Sequence, residues 1–90
     1  MRVGPARGVT SRMLEDGHLE FLLGDTGRRI RCGRIGAAVW MALRQHEGQC
    51  AAAADMLAEL WDIDPVNMRA EVDIWVEEWC DAGLVRVELP

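Results

Sequence analysis

The sequence predicts an α+β fold: a three-stranded antiparallel meander followed by three helices. Three observations predict it. Two turn signals, Asp16-Gly17 and Gly24-Asp25-Thr26-Gly27, separate segments in which apolar and polar residues alternate. Beyond Gly33 the apolar spacing changes from two residues to three and four, the change from strand to helix. A helix start at Asp64-Pro65 and a helix stop at Gly83 then bracket the last helix.

Residues 1–8 contain Gly4, Pro5 and Gly8, show no period, and are expected to form a flexible tail ahead of a domain at 9–90. Residues 9–14 read as the first strand. Gly17 can adopt the positive φ that a hairpin turn needs. Residues 18–23 place Leu19, Phe21 and Leu23 on one face, and residues 28–32 place Ile30 opposite Arg29 and Arg31. Ile35, Val39 and Leu43, with Trp40, make the apolar stripe of a helix over 34–45. Alanines at 51–54, then Met56, Leu57 and Leu60, favour a second, closely packed helix over 49–61. The third helix is predicted from Pro65 to Ala82, with Asp64 as its N-cap and Met68, Val72, Trp75, Val76 and Trp79 as its stripe. Residues 84–89 alternate and suit a short terminal strand. Strands first and helices after is a winged-helix-like arrangement.

Ninety residues are enough for one domain with a surface groove and too few for a deep enclosed cavity. The formal charge of −5 speaks against nucleic acid as the main partner. All ten basic residues are arginines, and Arg28, Arg29, Arg31 and Arg34 cluster while the stretch 47–81 is acidic. The cluster is open to two readings: charges that protect an exposed strand edge, or the rim of a binding site. Cys32, Cys50 and Cys80 lack CxxC spacing, so reduced thiols are expected rather than a metal knuckle or a redox pair. His18 and His46 lie beside turns, away from metal-ligand spacing, and read as surface residues. Trp40, Trp75 and Trp79 lie on helix stripes and are expected in the core, whereas Trp61 at a helix end is expected to be partly exposed. The pairs Glu71/Asp73 and Glu77/Glu78 read as a solvated helix face, because a shallow groove gives no burial to tune a catalytic carboxyl. A non-catalytic, cofactor-free, cytoplasmic binding module is the expectation. The competing reading is a winged-helix transcription regulator with the third helix in a DNA groove. Glu71, Asp73, Glu77, Glu78 and Asp81 against Arg69 alone oppose it.

A longer pattern runs from Phe21 to Val85. It comprises Cys32-Gly33-Arg34-Ile35-Gly36-Ala37-Ala38-Val39-Trp40, then Ile63-Asp64-Pro65, then Glu71-Val72, Trp75-Val76, Trp79 and Gly83-Leu84-Val85. In order and spacing it resembles the PqqD-like proteins, the peptide-recognition elements of ribosomal-peptide (RiPP) biosynthesis. It departs from them at Cys32, where Leu or Asn is common, at Cys50 in place of a Ser or Thr cap, and at Trp79 in place of a smaller aliphatic. A free-standing chain of this length most resembles the lasso-peptide version.

The resemblance implies a precursor leader peptide added as a strand to the edge Arg28, Arg29, Ile30, Arg31, Cys32, against the third helix. Apolar leader side chains would then lie between Ile30 and Val72 and Val76, with Arg69 and Asp73 meeting polar atoms. It further implies a leader peptidase and possibly a cyclase as partners, no membrane or nucleic acid, and a monomer or weak homodimer.

Overall fold

A computed structural model describes residues 1–88. In chain order the elements are β1 (Arg2–Pro5), β2 (Val9–Met13), β3 (Leu19–Leu23), β4 (Arg28–Cys32), α1 (Arg34–Gln45), α2 (Cys50–Trp61), α3 (Pro65–Asp81) and β5 (Val85–Glu88). Strands β2, β3 and β4 form the expected antiparallel meander, in that order.

Each turn of the meander closes as its residue types dictate. Gly17 takes φ +85°, the Leu14 amide donates to the His18 carbonyl (2.8 Å), and the Asp16 carboxylate accepts from the His18 amide (3.0 Å). At the second turn Gly27 takes φ +71° and donates to the Leu23 carbonyl (2.8 Å). The resulting register sets Ser11, Phe21 and Ile30 side by side, and Met13, Leu19 and Cys32. The alternating face read from the sequence is therefore the one turned to the helices.

Helix α3 begins and ends on local signals. The Asp64 carboxylate accepts from the amides of Val66 (2.8 Å) and Asn67 (3.3 Å), with Pro65 opening the helix. At the other end Gly83 takes φ +76°, the Leu84 amide donates to the Trp79 carbonyl (2.8 Å) and the Gly83 amide to that of Cys80 (3.0 Å). This pair of bonds is a Schellman stop. Replacing Asp64 by alanine leaves two amides without their acceptor and is expected to cost about 1 kcal/mol, read as a lower urea midpoint with an unchanged slope.

The core joins the meander to α1 and α3. Phe21, Trp40 and Trp79 meet edge to face with ring centroids 5.0, 5.8 and 5.7 Å apart. The Trp40 indole N–H is not stranded there, since it donates to Ser11 Oγ at 3.1 Å. Ala53, Ala54, Leu57 and Ala58 of α2 lie buried with Met68, Val72 and Val76 of α3, and the short alanines let the two helices approach closely.

The structure differs from the sequence reading at β1 and at Ile35. Arg2–Pro5 is a strand rather than a flexible tail, paired antiparallel with β5 through Val3 opposite Val87. Val3 is buried, its amide donates to the Gly48 carbonyl (2.9 Å), and the Cys50 amide donates to the Met1 carbonyl (3.0 Å). A four-residue segment holding Gly and Pro shows no period of its own, so only its distant partners reveal it. Strand β5 is described as far as Glu88, and Leu89 of the expected strand lies outside the described residues. Finally, Ile35, expected on the core stripe of α1, is 60% exposed. It stands on the first turn, where the elements opposite leave a recess of about 260 Å³ lined by Ile35, Trp61, Ile63, Asn67, Met68 and Glu71.

A candidate peptide-binding crevice

Strand β4 is an edge. Among the described residues it pairs with β3 alone, so every second residue turns its backbone N–H and C=O away from the sheet. The chain leaves β4 through Gly33 and enters α1, and α3 rises beside that junction. Gly36, in the first turn of α1, lies directly under the Trp75 ring. A Cβ at Gly36 would come within 2.9 Å of the Trp75 ring and 3.3 Å of Cys32 Cβ. The missing side chain thus lets Trp75 fold down over α1 next to the end of β4. Trp75 remains half-buried, tilted against Trp79 with centroids 5.5 Å apart. The expectation of a core tryptophan holds for Trp40 and Trp79, and Trp75 packs against that core from its edge with part of its ring open.

The Cys32 thiol is buried where β4 meets α3. Burial raises its pKa, a hydrogen bond with Trp79 opposes that, and the Glu78 carboxylate adds to the rise. Burial likewise raises the thiols of Cys50 and Cys80. All three cysteines are free thiols.

The arginines divide by the faces of β4. Arg29 and Arg31 lie on the outer face, in register with Leu22 and Glu20 of β3. Arg31 is ion-paired to Asp16, and Arg34 Nε donates to the Asp16 carbonyl oxygen at 2.9 Å. The His18 amide, ahead of the Arg31 charge, holds the Asp16 carboxyl below its ordinary range. These two arginines thereby brace the first turn of the meander. Glu20 Oε1 lies 3.1 Å from Arg12 Nε and 3.9 Å from Arg29, so Arg29 is only loosely engaged. Arg28 has no ion-pair partner among the described residues.

The helix residues of the expected site divide between the core and the far flank of α3. Val72 and Val76 are 0% and 2% exposed and belong to the core, with Val76 at the floor of a recess it shares with Met1, Asp73, Glu77, Cys80 and Val87. Arg69 points to α2, where its guanidinium grips Asp55 through two bonds of 3.1 and 3.0 Å. Asp73 borders a recess with Met1, Cys50, Ala51 and Arg69 on that same far flank. The flank beside β4 and the start of α1 instead carries Glu71, Trp75 and Glu78, spaced four and three residues apart. The structure therefore brings the Cys32 end of β4 together with Trp75 and Glu78, while Arg69 and Asp73 lie on the far flank of α3 and Val72 and Val76 in the core. The stripe of α3 is apolar on both shoulders, and periodicity alone does not say which shoulder meets the sheet. The signal for Trp75 is Gly36-Ala37-Ala38, a stretch small enough to receive a ring.

No helix among the described residues is long and apolar enough to cross a membrane. The crevice offers backbone pairing, an aromatic wall and charges of both signs, the elements of strand addition.

Comparison with known proteins agrees with this architecture. Over its full length the chain superposes on the whole of a solved chain described as TbiB1 in complex with the TbiA(beta) leader peptide, with a TM-score of 0.80 and 14% identity. At that identity the likeness is one of fold. No curated protein sequence matches the chain. The family model for coenzyme PQQ synthesis protein D (PqqD) matches residues 21–85, from the middle strand of the meander to the first residue of β5. That match covers well over half of the sequence, and on it the chain belongs to the PqqD family.

Proposed function

We propose that the protein binds the leader region of a ribosomally made precursor peptide and presents it to maturation enzymes. The leader adds as a strand to the free edge of β4, next to the Trp75 flank of α3. The open edge supports binding at Arg28, Arg29, Ile30, Arg31 and Cys32, and the closeness of Trp75 and Glu78 to Cys32 supports them as helix contacts ahead of Arg69, Val72, Asp73 and Val76. The observation that carries this reading is the unpaired edge of β4, open beside a half-buried tryptophan. Family membership and a shared fold with a chain solved in complex with a leader peptide support it. The enzymes served are a leader peptidase and, in a lasso-peptide pathway, a cyclase. The protein itself acts by binding rather than catalysis.

Titrating the isotope-labelled protein with the leader of a precursor encoded beside it tests the proposal. Saturable shifts are expected at the amides of Arg28–Cys32 and at the Trp75 indole, with micromolar or tighter affinity. Absence of binding to every co-encoded leader would overturn it.

A further inference from the structure

The two sides of the crevice carry opposite charge. An extended peptide alternates its side chains between the faces of the sheet it joins. On the outer face of β4 such a peptide lies beside Arg29 and beside Arg31, which is itself ion-paired to Asp16. Glu20, already held at 3.1 Å by Arg12, is 3.9 Å from Arg29, which leaves Arg29 donors for an incoming carboxylate. On the inner face the peptide lies beside Ile30 and Cys32 and across from Trp75. The exposed carboxylates Glu71 and Glu78 stand one helical turn to either side of Trp75. Arg69, the one cation of α3, is on the far flank and committed to Asp55.

Resting on the strand-addition reading above, we infer that the crevice selects an amphoteric strand. Its outward side chains are acidic at alternate positions. Its inward side chains are apolar opposite Trp75, with a basic residue beside them to meet Glu71 or Glu78. The same charges disfavour the other occupants of an open edge. A second copy pairing antiparallel about Ile30 would set Arg29 opposite Arg31 twice on one face, and like charges directly opposite are destabilising. A nucleic-acid backbone drawn to the arginines would meet Glu71 and Glu78 on the other wall.

Two synthetic peptides of identical composition test the inference on the full chain, with the co-encoded leader as reference. One carries Glu on its outward face and Lys among its inward apolar residues. The other has Glu and Lys exchanged. By fluorescence anisotropy the first is expected to bind about tenfold more tightly, the yield of a few solvent-screened pairs, and the gap is expected to narrow at high salt. The double variant Arg29→Glu/Arg31→Glu should abolish or invert the preference. Glu78→Lys, on an exposed helix face, should reduce it independently if the double variant folds poorly. Equal affinity for the two peptides, with β4 amides still shifting, overturns the charge selection and leaves strand addition standing. Failure of both peptides and of the leader overturns strand addition itself.

Discussion

Replacing Phe21 by alanine is expected to cost about 3–5 kcal/mol, the range for truncating a buried aromatic. Phe21 is 0% exposed and stands between Trp40 and Trp79, in edge contact with both. It is the only phenylalanine in the chain, and on β3 it is the residue through which the sheet grips α1 and α3 together. The cavity left behind is walled by two indole rings. Trp40 is tethered by its bond to Ser11, so the wall closes poorly over the gap. A domain of this length has total stability on the order of 5–10 kcal/mol, so the loss is a large share of what holds it folded. Urea denaturation followed by tryptophan fluorescence measures it. A loss below about 1 kcal/mol would mean that the aromatic cluster repacks freely, contrary to the close packing of protein interiors. Binding at β4 should weaken in proportion to the unfolded fraction and no further.

Replacing Gly48 by alanine is expected to release β1. Gly48 lies between α1 and α2 with φ +82°, a backbone conformation costing a side-chain-bearing residue about 1–2 kcal/mol. A Cβ there would also fall 2.0 Å from the Val3 carbonyl oxygen and 3.0 Å from its carbon. Backbone cannot move aside as a flexible side chain does, so either the loop or β1 must shift. The bond from the Val3 amide to the Gly48 carbonyl then lengthens, and the pairing of β1 with β5 loses its anchor. Hydrogen exchange should show Val3 losing protection while the meander keeps its own. Leader binding should persist, because β1 pairs with β5 and not with β4. Unchanged protection at Val3 would show that Gly48 does not hold the strand.

Phe21 and Gly48 also mark how far the sequence could be read. Phe21 announces its burial through alternation with Leu19 and Leu23, a pattern internal to one strand. Gly48 marks a break between two helical patterns, but nothing near it in the sequence foretells the approach of Val3, forty-five positions away. The crevice divides in the same way. Strand β4 and its two faces were legible from Ile30 set against Arg29 and Arg31, together with the turn at Gly27. The α3 side was not, because Val72 and Val76 and Trp75 belong to one apolar arc. Only the seating of that arc on α2 and the sheet decides which shoulder stays open.

By itself, then, the sequence determined what depends on neighbours along the chain. This includes the meander and its turns at Gly17 and Gly27, the bounds of α1, the Asp64 cap, and the stop at Gly83. These follow from φ preferences and from side chains reaching amides two or three residues away. The tertiary structure decided the pairing of β1 with β5, the exposure of Ile35, and the placement of Trp75 and Glu78 beside the Cys32 end of β4. Each of these is set by packing between segments remote in sequence. A short strand has no period of its own to show, and an amphipathic helix has two shoulders that its own residues do not distinguish.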